Sequence, residues 1–112
     1  MATYLNPNIS DEGVLAIGDN VLYTCPYNYR ATLAAFKFNS PGAYDISLRI
    51  ERSSPAATIV YYTFNLDAGD VMTDGGGYVL NDGDQIIVTT GSASVTYSYA
   101  GQVIPINVPR QP

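Results

Sequence analysis

The chain has no histidine, no tryptophan, one cysteine and few charged residues. Each shortage excludes something. Without histidine there is no Ser-His-Asp triad, no Cys-His pair and no imidazole metal ligand. A single cysteine, Cys25, cannot close an internal disulfide. At the end of the apolar run VLYTC (21–25) it reads as a small buried hydrophobe, with an intermolecular bridge or a reactive thiol as the alternative. Charged residues are 13% of the chain, against roughly 25% in ordinary globular domains. The cations Arg30, Lys37, Arg49, Arg52 and Arg110 are scattered, and net charge is −5. No basic stripe exists to neutralise phosphates, which disfavours nucleic acid as a partner. No apolar run approaches the roughly 20 residues of a membrane span. The opening residues MATYLNPNISDEG show no basic segment followed by an apolar one, so no signal peptide is visible. The expectation is a protein made in a cytoplasm, without a membrane partner.

What is present is apolar residue in ordinary amount, 46% of 112 residues, enough for one domain with a real core. Ser, Thr, Asn, Gly and Tyr must then cover much of the outside. A weakly charged, tyrosine-bearing exterior points to an interface. Residues 1–20 are turn-rich and read as an N-terminal arm, disordered or laid on a neighbour, with 14–17 as a short strand. Residues 21–108 read as strands and turns, and 109–112 as a C-terminal tail. Tyr44, Ile46, Leu48 and Ile50 alternate with Asp45, Ser47, Arg49 and Glu51, the mark of a strand with one wet face. Residues 31–38 (ATLAAFKF) precede it, joined by a turn at 39–42. The segment 58–64 (TIVYYTF) is β-branched and aromatic, with bulk on both faces. It belongs inside a sandwich or against a partner, and bare on an edge it is an aggregation hazard. Residues 85–90 and 93–99 read as a hairpin around Gly91-Ser92. Residues 102–108 read as a closing strand that Pro105 places at an edge. No stretch of ten or more residues keeps a helical period. The expected fold is all-β: an antiparallel β-sandwich, jelly-roll or Ig-like, with an N-terminal arm.

Two acidic corners repeat one pattern, LDAGD (66–70) and LNDGD (80–84). Asp67, Asp70, Asp74, Asp82 and Asp84 offer oxygen ligands of the kind calcium takes, but their spacing does not fit a calcium loop and no glutamate lies nearby. The geometric reading is favoured: glycine supplies positive φ, aspartate caps backbone N–H groups, and leucine anchors each turn. Asp74-Gly75-Gly76-Gly77 lacks the Lys and Ser/Thr of a phosphate loop and reads as a flexible bend. Asp45, Glu51 and the turn aspartates sit where solvent keeps them ionised, whereas a general acid needs burial. No enzyme, cofactor or metal is expected.

Ten tyrosines remain. Tyr44, Tyr61, Tyr97 and Tyr99 fit core faces, and Tyr23, Tyr62 and Tyr78 fit either side. Tyr27 and Tyr29 stand in a loop beside Arg30. They are rim cover for the core, protein-interface anchors or sugar-stacking rings. The interface candidates are Tyr4, Leu5, Ile9, Tyr27, Tyr29, Arg30 and Tyr62.

A longer pattern runs through these pieces. A strand ends at Cys25-Pro26. Residues 30–39 (RATLAAFKFN) follow, then a Pro-Gly turn and the alternating strand, then LDAGD. The stretch 76–88 (GGYVLNDGDQIIV) comes next, and a final β-rich strand ends near Gly101. Over residues 21–104 this resembles the small β-sandwich virion proteins of tailed bacteriophages. The resemblance implies assembly onto a particle, no catalysis and a structural role for the twin corners. It leads to the expectation of a virion structural protein, foremost a capsid decoration or cement protein. Its partners would be the major capsid protein or other virion subunits, and it would form a homo-oligomer on the particle. Family members occur on heads, necks and tails, so a neck or tail accessory subunit is one alternative. A carbohydrate-binding module of a tail or fibre is another.

Overall fold

Alternation decides the architecture. Between Tyr44 and Ser53 (β4), Tyr44, Ile46, Leu48 and Ile50 are buried and the residues between them face outward. A computed structural model describes residues 8–40, 42–53, 56–67, 71–91 and 94–105. The other strands are β1 (Asn8–Val14), β2 (Gly18–Thr24), β3 (Tyr29–Asn39), β5 (Ala56–Leu66), β6 (Val71–Asp74), β7 (Tyr78–Leu80), β8 (Gln85–Thr90) and β9 (Thr96–Pro105). There is no helix among the described residues.

The strands form two antiparallel sheets. One runs β1-β9-β3-β6, with β7 beside the other end of β3; the second runs β2-β8-β4-β5. β6 pairs residues 36–39 of β3 and β7 pairs residues 31–33, so together they make one edge strand broken at Gly75-Gly76-Gly77. Among the described residues only β4 and β5 form a hairpin within one sheet; the other full strands that follow one another lie in opposite sheets. Two four-strand layers wired this way are a jelly roll. That settles the choice between jelly-roll and Ig-like order.

Tyrosine hydroxyls tie the layers. Tyr44 on β4 donates to the Phe38 carbonyl of β3 at 2.9 Å, and Tyr99 on β9 donates to the Leu22 carbonyl of β2 at 2.7 Å. Each polar tip is satisfied while its ring fills the core. Between them Phe36 stacks on Tyr99 and meets Tyr78 edge-on. Leu33, Leu48, Ile50, Leu80, Ile86 and Val88 complete a fully buried centre, each worth roughly 1.5–3 kcal/mol relative to exposure.

Several sequence expectations change. Residues 8–20 are not an arm: Asn8–Val14 pairs with β9 from Asn8↔Gln102 to Val14↔Thr96, and β2 begins at Gly18. β1 is polar and mostly exposed, so it carries little pattern of its own; β9 supplies its order. Residues 1–7 and 106–112, including Tyr4, Leu5 and the tail, lie outside the described residues. The pair 85–90 and 93–99 is not a hairpin, because β8 lies between β2 and β4 and β9 between β1 and β3. Likewise β3 and β4, expected to be joined by a turn at 39–42, lie in different sheets. Pro105 does not mark an edge strand: β9 is paired on both sides over residues 96–102, and Pro105 stands at its far end opposite Tyr29.

β3 carries a bulge. Its register with β9 shifts between Ala34 and Lys37, and Ala35 holds φ 56. A left-handed alanine costs roughly 1–2 kcal/mol against the right-handed form, a penalty glycine escapes. Ala35→Gly is expected to stabilise the fold by about 0.5–1 kcal/mol, after subtracting glycine's larger unfolded-state entropy. Chemical denaturation of the two proteins checks this; a loss of stability would show that the bulge is not strained.

Candidate interaction surface

The second acidic corner and the tyrosine loop, separate in sequence, are one structure. Gly83 adopts φ +75, the conformation expected of the Asp82-Gly83 turn. Its N–H donates to the Cys25 carbonyl and the Cys25 N–H donates to the Asp84 carbonyl, both at 2.9 Å. These bonds zip the loop after β2 onto the loop before β8. Cys25 is buried there, and its burial raises the thiol pKa.

Asp84 is the hub of this corner. Its carboxylate accepts from the backbone N–H groups of Asn81 and Ser53, each at 2.9 Å, and pairs with Arg52 Nη1 at 2.6 Å. Arg52 also donates to the Val79 carbonyl at 2.9 Å. Burial acts to raise the Asp84 pKa. The two N–H groups and the Arg52 guanidinium outweigh it and hold the carboxyl below its ordinary value. A depressed folded-state pKa contributes stability that is complete above the unfolded value of about 3.9 and is lost as pH falls through the lower, folded one. Urea unfolding from pH 6 down is expected to show Asp84's share vanishing below about pH 4, with Asp84→Asn showing a shallower acid limb. Equal pH slopes for the two proteins would contradict this.

Among the described residues the other acids form no cage. Asp74 accepts from Gly76 N–H and from the Tyr78 hydroxyl. Asp19 accepts from Thr89 and Arg49, which lower its pKa. Among the described residues no three His, Cys, Asp or Glu side chains converge on a point. Asp70 and the 68–69 turn of LDAGD lie outside them.

The predicted interface residues separate into groups. Tyr27 is 73% exposed. Arg30 is exposed at the same corner, with its Nε 3.4 Å from Asn81 Oδ1. Tyr29, Ile9 and Tyr62 are half-buried and pack on the core. Tyr61, expected in the core, is 43% exposed. The cause is a bulge: Leu48 pairs Tyr62 and Arg49 pairs Val60, which leaves Tyr61 as the extra residue. Its ring meets Tyr78 edge-on at 4.8 Å, at the open side of the sandwich.

The segment read from sequence as belonging inside a sandwich or against a partner is β5, and in the single chain its first half is bare. It is the edge of its sheet, and residues 56–61 are all exposed, among them Ile59, Val60 and Tyr61. The signal was there in the bulk on both faces of TIVYYTF. Val60 ends a cross-strand row, Val21–Ile87–Arg49–Val60, in which Ile87 is covered although it lies on the outer face. On the other sheet a shallow groove of about 370 Å³ is lined by Glu12, Lys37, Asn39, Thr96, Tyr97 and Ser98, among others.

No protein-family model matches the chain, and no curated protein matches it. Among solved structures it is similar to the globular domain of zebrafish complement 1qA protein, at 12% identity and a TM-score of 0.49, over 86% of this chain and 95% of that one. That degree of likeness assigns no function.

Proposed function

We propose that this chain is a structural subunit of a tailed-phage particle, foremost a capsid decoration protein that works by docking rather than by chemistry. The observation that carries the reading is the surface. Val14, Ile17, Val21, Tyr27, Val60, Val71 and Ile104 are each about half exposed or more, on a chain with 13% charge. Such a surface gains by being covered, at roughly 25 cal/mol per Å² before association costs. Many copies on a lattice multiply weak contacts into firm attachment. The jelly-roll order supports the same class, since viral coat subunits use it, although a fold alone does not decide function.

The partners would be the major capsid protein or other virion subunits, and the location the virion. A neck or tail accessory subunit would act in the same way at another address. The groove beside Tyr97 favours one further reading, a carbohydrate-binding module, because jelly rolls also serve lectins.

Quantitative mass spectrometry of gradient-purified particles made with and without this gene tests the proposal. Many copies per particle, with no change in substrate turnover of any kind, is the expected result. Absence of the chain from purified particles would overturn it. Binding on a glycan array, without particle association, would favour the carbohydrate module instead.

A further inference from the structure

Edge strands invite pairing, and this fold treats its edges unequally. β1 carries Asp11 and Glu12, β2 carries Asp19, and β6 is four residues long with Asp74 at its end. Short length and charge are the usual ways of blunting an edge. β5 has neither: Ala56–Leu66 is eleven residues long, without a charged residue or proline. Among the described residues it pairs only with β4.

We propose that the outer edge of β5 is a self-association surface, where residues 56–60 pair antiparallel with the same residues of a second copy about a two-fold axis near Thr58. The bulge at Tyr61 interrupts the edge and limits the pairing to this half.

Charge singles out β5 as the edge where a second copy fits. The molecule carries net −5, so two copies approach each other only across a neutral strip. Pairing β1 with β1 would set Asp11 and Glu12 against their own counterparts. Beside β5 one acid on the neighbouring strand, Glu51, stands opposite Thr58 and is hydrogen-bonded by its hydroxyl, while Asp84, at the Ser53 end opposite Ala56, is neutralised by Arg52. Arg49 lies 3.9 Å from Glu51 and offsets it. Across the two-fold axis the two Glu51 residues would stand three strand spacings apart, about 14 Å, beyond the Debye length of about 8 Å at physiological salt.

A two-fold contact is self-complementary and needs one surface only. Here Ala56 meets Val60 of the second copy, Ala57 meets Ile59, and Thr58 meets Thr58. The two β5 hairpins would join two four-strand sheets into one. Ile59 and Val60, bare in the single chain, would then gain cover on both faces. The contact is small, so the dimer is weak in solution and firm only where a lattice holds the copies together. The inference deepens the docking reading above and rests on it for its use; the measurement below needs no particle, so either can fail alone.

Sedimentation velocity of the full chain from about 1 to about 500 µM, a span suited to a small interface, reads the association. The expected result is a monomer–dimer equilibrium within that range. Amide exchange of residues 56–60 should slow as concentration rises. Thr58→Lys sets two ammonium groups against each other at the axis, and Val60→Lys puts a charge on the exposed edge. Each folded variant, verified by circular dichroism, is expected to dimerise at least about tenfold more weakly than the wild type. A wild-type chain that stays monomeric throughout overturns the proposal. So does a folded Val60→Lys protein that dimerises like wild type, since the contact would then lie elsewhere.

Discussion

Gly101→Ala is expected to cost at least about 4 kcal/mol, a loss reserved for a short list of causes. Gly101 sits in the middle of β9, flanked by Ile9 on β1 and Leu33 on β3. A Cβ placed there would lie 2.1 Å from the Thr32 carbonyl oxygen and 3.0 Å from the Leu33 Cα. Both obstacles are backbone, so no rotamer change relieves them. The central strands of the sheet would have to part, breaking ladder hydrogen bonds on the side of β3. Because a domain of this size has only about 5–15 kcal/mol of stability, much of the protein would be unfolded or aggregated at 37 °C. Gly75→Ala is the control: its Cβ would meet nothing within 4 Å, and its effect should stay within about 0.5 kcal/mol. Urea denaturation of both proteins measures the contrast. Two equally mild substitutions would mean that β9 and β3 do not approach as described.

The second large effect belongs to Asp84. Asp84→Ala strips two backbone N–H groups of their acceptor and leaves Arg52 without its partner in a mostly buried place. Breaking such a pair from one side costs about 3–5 kcal/mol. Arg52→Ala is expected to cost less, because the two N–H groups still hold the carboxylate. The double variant should fall short of the sum by at least about 0.5 kcal/mol, the sign of direct coupling. Three melting curves and the wild type complete the cycle. Strict additivity would show that the ion pair is incidental and that Asp84 acts only as a turn cap.

Much of the fold was legible because it is written locally. Tyr44, Ile46, Leu48 and Ile50 announce β4 by alternation alone, and Gly83 announces its turn by residue type. What was not legible depends on partners distant in sequence. β1 is polar and looks like an arm until β9 is beside it. Gly91-Ser92 looks like a hairpin turn, because the local rule for a tight corner does not say which sheet the next strand joins. Pro105 looks like an edge signal because the rule ignores that a proline at a strand's end removes no needed donor.

The surface followed the same division. Tyr27 was legible as an exposed loop residue, whereas Tyr29 and Arg30, read in and beside that loop, begin β3. The aspartates of the twin corners looked interchangeable, and only folding singles out Asp84, by bringing Arg52 and Ser53 to it. Tyr61 looked like a core residue because strict period two carries it to the face of Ile59. One inserted residue in the β4–β5 register breaks that count, and no local feature marks the insertion.

The central proposal is that a jelly roll with a bare, weakly charged surface serves by fitting onto an assembly. Cryo-electron microscopy of particles that carry the chain tests it most directly. The account predicts density for the two sheets on the outside of the particle, with exposed residues such as Tyr27 or Val60 covered by neighbouring subunits. Particles complete in every other component and devoid of this density would contradict it.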